Sequence, residues 1–205
     1  MSGNLAVFLE NALYFLALIN PASKIFFLTA QQPTLSGGEL RRMSLRATFF
    51  AFIILLGCSL GGNLALESVF RVKLYALQIS GGLILLFTGI TAVQKGVFYH
   101  AGVKKHPSYD EISVVPLAAP LIAGPGTIAA TISFSMQFGT VTTMLSLGAA
   151  LLLNLALMLA SRGISKALEF FVFVGPVIRL TGLIVMAVAM QMMLSGIGGF
   201  IGSLR

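Results

Sequence analysis

Two stretches break apolar segments that are each otherwise long enough to cross a bilayer: Leu18-Ile19-Asn20-Pro21-Ala22-Ser23 and Pro120-Leu121-Ile122-Ala123-Gly124-Pro125-Gly126-Thr127. They fall at corresponding places in the two halves of the chain. A proline inside a helix removes one backbone donor and costs about 3 kcal/mol. In hydrocarbon the freed carbonyls find no water, so such breaks persist where they line a protected cavity. Matched interruptions in two halves of a membrane protein point to a solute site of the kind secondary transporters carry.

A bilayer is the solvent this chain requires. Hydrophobic residues make up 57% of it and charged residues 9%, against the roughly 25% charge of soluble domains. The net charge of +7 forms no basic domain or aromatic-interleaved patch, so it implies no nucleic-acid partner. Met1 to Asn4 carry no basic n-region and no small-residue cleavage signal follows, so the first apolar run is expected to stay as a span. A single cysteine, Cys58, excludes an internal disulfide and a Cys-rich metal site. His100 and His106 flank a Lys-rich loop without a carboxylate cluster and read as solvated loop residues, so neither metal nor cofactor is expected.

At about 20 apolar residues per crossing, six spans are predicted, near 5–30, 44–63, 74–95, 113–136, 141–160 and 174–199. The first connection carries Pro33, Gly37, Gly38, Arg41 and Arg42, and the third carries Lys95, Lys104, Lys105, Pro107 and Asp110. The link from Gln137 to Thr142 is short and uncharged, which predicts an antiparallel hairpin. One side of the membrane then receives Arg41, Arg42, Arg46, Lys95, Lys104, Lys105, Arg162 and Lys166, and the other only Arg71, Lys73 and Arg205. The basic side is expected to be cytoplasmic, with both termini outside.

The fold class this predicts is all-α and integral to the membrane: two three-helix repeats, 1–97 and 113–205, joined by a cytoplasmic loop at 98–112. Asn20-Pro21-Ala22-Ser23 aligns with Gly124-Pro125-Gly126-Thr127, and Gly81-Gly82-Leu83-Ile84-Leu85 aligns with Thr181-Gly182-Leu183-Ile184-Val185. An odd number of spans per unit inverts the second repeat relative to the first.

Pro21 and Pro125 are placed to open new half-helices, where a missing amide hydrogen is no loss. The first amides of such a helix lack internal partners and carry about half a positive charge. Two amino ends converging at the midplane suit a carboxylate, with Ser23 and Thr127 adding hydroxyls. Gly124 and Gly126 permit close backbone approach, while Ala22 and Ala123 keep the cavity narrow, so a small solute is implied. Carbonyls near Ala17 to Ile19 and Leu121 to Ala123 are suited to an ammonium group, and a small zwitterion fits both ends. Asn154, deep in the fifth span, is expected to line the same cavity, and Asn63 to bond across helices. The competing reading makes both breaks simple kinks, with Ser23, Thr127 and Thr131 bonding carbonyls one turn back.

Lys24, just beyond the first break, is placed to draw an anionic group, but its long stem also allows it to snorkel toward the cytoplasmic interface, the reading favoured here. Glu10 and Arg179 are expected to act as interfacial anchors. With no acidic residue at the middle of any span, no proton carrier is evident. Pro116 and Pro120 loosen the fourth span. Gly57, Gly61, Gly62, Gly81, Gly82 and Gly89 are expected to allow close helix contact, and Met186, Met190, Met192 and Met193 to fill space.

The run Pro116-Leu117-Ala118-Ala119-Pro120-Leu121-Ile122-Ala123-Gly124-Pro125-Gly126-Thr127-Ile128, with Asn20-Pro21 and the Gly81-Gly82 helix, resembles the MarC family of bacterial inner-membrane proteins over essentially the whole chain. Some members of that family, the SnatA type, are described as transporters of small neutral amino acids. The resemblance implies a site at Asn20, Pro21 and Ser23 with Gly124, Pro125, Gly126 and Thr127. Family members often carry Asp-Pro and a glycine at the first break; here Asn20 replaces the acid, which puts proton coupling through that position in doubt.

The function expected is a non-enzymatic secondary transporter of glycine, alanine or a similarly small amino acid, working by alternating access in the inner membrane. The coupling ion, proton or sodium, and the oligomeric state stay open, with membrane lipid the only other partner. An exporter of other small solutes or drugs, or a passive channel, is the alternative. An intramembrane enzyme is disfavoured, since no Ser-His, paired-aspartate or His-Glu constellation falls at membrane depth.

Overall fold

The computed structural model describes residues 2–30, 36–64, 71–96, 113–170 and 174–204. Among them every element is helical: α1 (Ser2–Ile19), α2 (Pro21–Ala30), α3 (Gly37–Leu64), α4 (Leu74–Lys95), α5 (Ser113–Ile122, wound as a π helix), α6 (Pro125–Phe138), α7 (Thr140–Leu159), α8 (Ser161–Phe170) and α9 (Val174–Ser203). Among the described residues five spans are long and apolar enough to cross a membrane: Leu5–Thr29, which runs through the first break, Gly37–Gly62, Leu74–Lys95, Thr140–Leu159 and Gly175–Ser203. The fourth predicted span, 113–136, is two short pieces, α5 and α6, neither of which reaches across alone.

Exposed large apolar side chains girdle the molecule, Leu13, Phe49, Phe87, Leu152 and Leu180 among them. A water-soluble monomer does not carry such a surface, whereas hydrocarbon solvates it at no cost. The chain is an integral, multi-pass membrane protein.

Two local departures from expectation have clear causes. Gly37 to Arg42, read as loop, form the first turns of α3. The reason is a reciprocal capping box: Ser36 N donates to Glu39 Oε2 (2.6 Å) and Glu39 N donates to Ser36 Oγ (3.2 Å). That pair satisfies two orphan donors and outweighs the low helix propensity of the two glycines. The second departure is α8, where a loop was expected. It packs against α2, and Ser161 and Ser165 are buried while Gly163, Lys166 and Ala167 are exposed. The connecting loop at 98–112, with both histidines, Lys104, Lys105 and Asp110, lies outside the described residues, as do Pro33 and the side chain of Asn63.

The most extensive packing joins α4 to α9. A Cβ on Gly82 would lie 2.8 Å from Ala189 O, one on Gly89 would lie 2.9 Å from Gly182 O, and one on Gly196 would lie 2.8 Å from Tyr75 O. The two helices are therefore antiparallel, with backbones in direct contact, the close approach that small residues permit between membrane helices. Gly57 and Gly61, expected to do the same, face open space, and only Gly62 of that group meets a neighbour, Ile132. Elsewhere α1 packs on α7, and α3 on α5. Phe134 of α6 stacks against Tyr14 and Phe15 of α1, at ring separations of 5.2 and 5.3 Å, which ties the first broken span to the second.

Candidate solute site at the paired helix breaks

At the first break α1 ends in Asn20, whose φ of 52° is left-handed. Asparagine tolerates that region better than any other residue with a side chain of its size, and it serves here as the carboxyl cap. Asn20 N donates to Leu16 O (2.9 Å), which completes the last turn of α1. Asn20 O then accepts from Ser23 N (3.1 Å) and from Ser23 Oγ (2.8 Å), which starts α2. Pro21 stands first in α2, where its fixed φ suits helix initiation.

The second break is built differently. Ala123 N donates to Ala118 O (2.8 Å), the wide turn that ends α5. Gly124 is extended (φ −81°, ψ 169°), its carbonyl accepts from Ile128 N (2.9 Å), and Pro125 opens α6. A Cβ on Gly126 would lie 2.2 Å from Leu85 Cδ1, so α6 reaches its contact with α4 only because that residue is glycine.

Both breaks line one cavity of about 280 Å³. Its walls are Leu18, Ile19, Asn20, Ser23 and Lys24 from the first broken span, Leu121, Gly124, Pro125, Gly126 and Thr127 from the second, Ile84, Leu85 and Thr88 from α4, and Val185 from α9. Pro21, Ala22 and Ala123 sit at the breaks but do not reach the cavity. Asn154 does not line it either, contrary to expectation. It is fully buried on α7, a helix that contributes no wall, with Nδ2 on Met158 Sδ at 3.2 Å.

Lys24 overturns its sequence reading. Its side chain does not snorkel: the residue is 2% exposed, and its ammonium donates to Ile19 O and to Ser23 Oγ (3.1 Å for the latter). The break supplies the reason, because Ile19 O has lost its helical donor and offers an ammonium a partner closer than the interface. Among the described residues no carboxylate lines the cavity. The site thus combines one buried lysine amine and two helix amino ends with walls mostly of Leu, Ile and Val.

Leu85, Thr88 and Val185 were not singled out from the sequence. A signal was present: Leu85 and Val185 hold the same position in the two aligned pentapeptides that begin at Gly81 and Thr181. A second cavity of about 170 Å³ lies further along the same faces of α4, α6 and α9, where Gln78 Nε2 and Gln137 Nε2 both donate to Ser133 Oγ (2.8 and 2.9 Å). Gly81, Ala129 and Met192 close the space between the two, and a Cβ on Gly81 would stand 3.0 Å from Met192 Cε and 3.2 Å from Ala129 Cβ.

Residues 5–201 match the family described as MarC family integral membrane protein. The chain belongs to the MarC family. Among its relatives, the UPF0056 membrane protein PH0214 of Pyrococcus horikoshii is 31% identical over 197 residues, covering 94% of each chain. A UPF0056 membrane protein of Aquifex aeolicus is 27% identical over 201 residues, covering 93% of this chain and 92% of its own. The UPF0056 inner membrane protein MarC of Escherichia coli O157:H7 is 32% identical over 126 residues, 58% of this chain and 57% of its own. No solved structure gives a significant match. Within this MarC family member, the Asn20-Pro21 and Gly124-Pro125 breaks and the α4–α9 seam all fall inside the matched range.

Proposed function

We propose that this protein is a secondary transporter of small neutral amino acids, glycine and alanine, working by alternating access across the inner membrane. The observation that carries the reading is the single cavity shared by two broken helices from opposite halves of the chain. Its volume lies just below the roughly 300–1,000 Å³ of pockets for drug-sized ligands, which favours a small solute over a drug.

The arrangement is read as two inverted three-helix units with six crossings, the fourth made of α5 and α6 together. The pairing of elements supports it: α1 with α7 mirrors α5 with α3, and α4 meets its counterpart α9 antiparallel. The solute carboxylate is held at the amino ends of α2 and α6, with the Thr127 hydroxyl adding a contact. The basic ends of α3, α4 and α8 are assigned to the cytoplasm, which puts both termini outside. The stretch from the main cavity past Met192 to the Gln78–Ser133–Gln137 cluster is assigned as the outward path.

The test is counterflow in proteoliposomes loaded with unlabelled glycine, with labelled glycine outside and with proton or sodium gradients imposed in turn. Saturable counterflow is expected, and the gradient response identifies the coupling ion. Uptake without saturation or counterflow would instead make the protein a channel, and no uptake of glycine, alanine or serine by folded protein would overturn the substrate assignment. In Ser23→Ala/Thr127→Ala, half-saturation is expected to rise several-fold.

A further inference from the structure

Lys24 is the one basic side chain that lines the cavity among the described residues, and nothing on the walls balances it. Of the acidic residues whose side chains are described, Glu10 is exposed on α1 and Glu39 belongs to the cap of α3. An ammonium has three donors. Two of these are taken, by Ile19 O and Ser23 Oγ, and among the described residues the third has no acceptor. A buried lysine that has a free donor when protonated, on a cavity wall beside two helix amino ends, is complementary to an anion. The equivalent place in the second half is Ile128, so this charge is not a product of the internal repeat.

The same contact bears on the other end of a zwitterion. The Ile19 carbonyl, left without a helical donor at the end of α1, is one of the acceptors suited to a solute ammonium, and Lys24 already holds it. Beyond it the walls are mostly apolar, Leu18, Ile84, Leu85, Leu121 and Val185, and they offer a solute ammonium only the neutral oxygens of Asn20, Thr88 and Thr127 and, among the described residues, no charged partner.

We infer that Lys24 is the counter-ion of the solute carboxylate and that the cavity holds its ligand more strongly through that group than through the amino group, which meets only neutral acceptors. Small monocarboxylates without an amino group are then ligands of the same site. The inference rests on the transporter reading for its choice of solute and extends it to a wider substrate class.

The experiment is displacement of labelled glycine from the protein in detergent micelles by alanine, by propionate, which lacks the amino group, and by alaninamide, which lacks the carboxylate. Propionate is expected to displace at a lower concentration than alaninamide, which should need at least tenfold more than alanine. Lys24→Met is expected to weaken alanine and propionate together by at least about tenfold, the order expected for loss of a charge-assisted hydrogen bond. Alaninamide displacing as well as alanine, or propionate failing to displace, would overturn the inference in the unmodified protein, whether or not Lys24→Met folds. If glycine itself does not bind, the amino-acid reading fails, and direct binding of labelled propionate then decides the inference: binding that Lys24→Met removes supports it, and no binding overturns it.

Discussion

The two helix breaks hold the same place in the two halves of the chain, yet they are finished in opposite ways. At the first, the loose polar groups are satisfied from within: Ser23 bonds Asn20 O, and the Lys24 ammonium takes Ile19 O and Ser23 Oγ. At the second, Gly124 is extended and unbranched, Ile128 stands where Lys24 would be, and the Thr127 hydroxyl has no hydrogen-bond partner among the described residues. Unmet polar groups in hydrocarbon cost several kcal/mol, so a chain either satisfies them or reserves them for a ligand. The difference teaches that two breaks in corresponding places need not carry the same chemistry. The first break supplies a buried, titratable amine, and the second supplies space and free donors.

The sharpest way to break this contrast is Gly126→Val. A side chain there enters the space of Leu85, whose atoms would stand 2.2 to 3.0 Å from the first added carbon. Glycine counterflow is expected to fall below detection while the protein still inserts and runs as a single species on size exclusion; retained counterflow would show that the second break is not the open one.

Next in size is Asn20→Val, which puts a β-branched residue at a φ of 52°. A stability loss of about 1–2 kcal/mol is expected, read as a lowered thermal midpoint in detergent, with Asn20→Gly close to the unmodified protein. Equal midpoints for the two variants would mean that the left-handed cap does not set the first break.

Smaller still is Thr131→Val, which removes the bond from Thr131 Oγ1 to Thr127 O (2.7 Å). About 1 kcal/mol or less of stability should go, with glycine half-saturation unchanged within about twofold. The smallest effect is expected from Asn154→Leu. It removes a buried Oδ1 that has no partner among the described residues and a residue outside the cavity, so affinity should hold and the thermal midpoint should stay level or rise. A large fall in affinity would return Asn154 to the site.

The sequence made some of this legible because the solvent is so restrictive. Leu74–Lys95 and Thr140–Leu159 emerge within a residue of their predicted bounds, since a bilayer demands about 20 apolar residues, with Lys73 and Lys95 marking the ends of the first and Gly139 and Arg162 those of the second. The prolines located both breaks for the same reason. Lys24 was misread because snorkelling is an argument about a lone side chain, and the acceptor that holds this one exists only once α1 stops at Ile19. Asn154 was misread because depth in a span does not say which way a residue faces. Leu85, Thr88 and Val185 went unnoticed because apolar walls look like any other membrane helix, and only the packing of α4 on α6 and α9 turns them toward the breaks.

The central claim is that both breaks face one solute cavity, and site-specific alkylation tests it most directly. Ser23→Cys and Thr127→Cys, each with Cys58→Ser to remove the native thiol, are labelled in membrane vesicles by a small methanethiosulfonate, with increasing glycine present. Both thiols are predicted to react and to be protected with the same half-maximal glycine concentration. Protection of one thiol while the other reacts unhindered at saturating glycine would contradict a shared cavity.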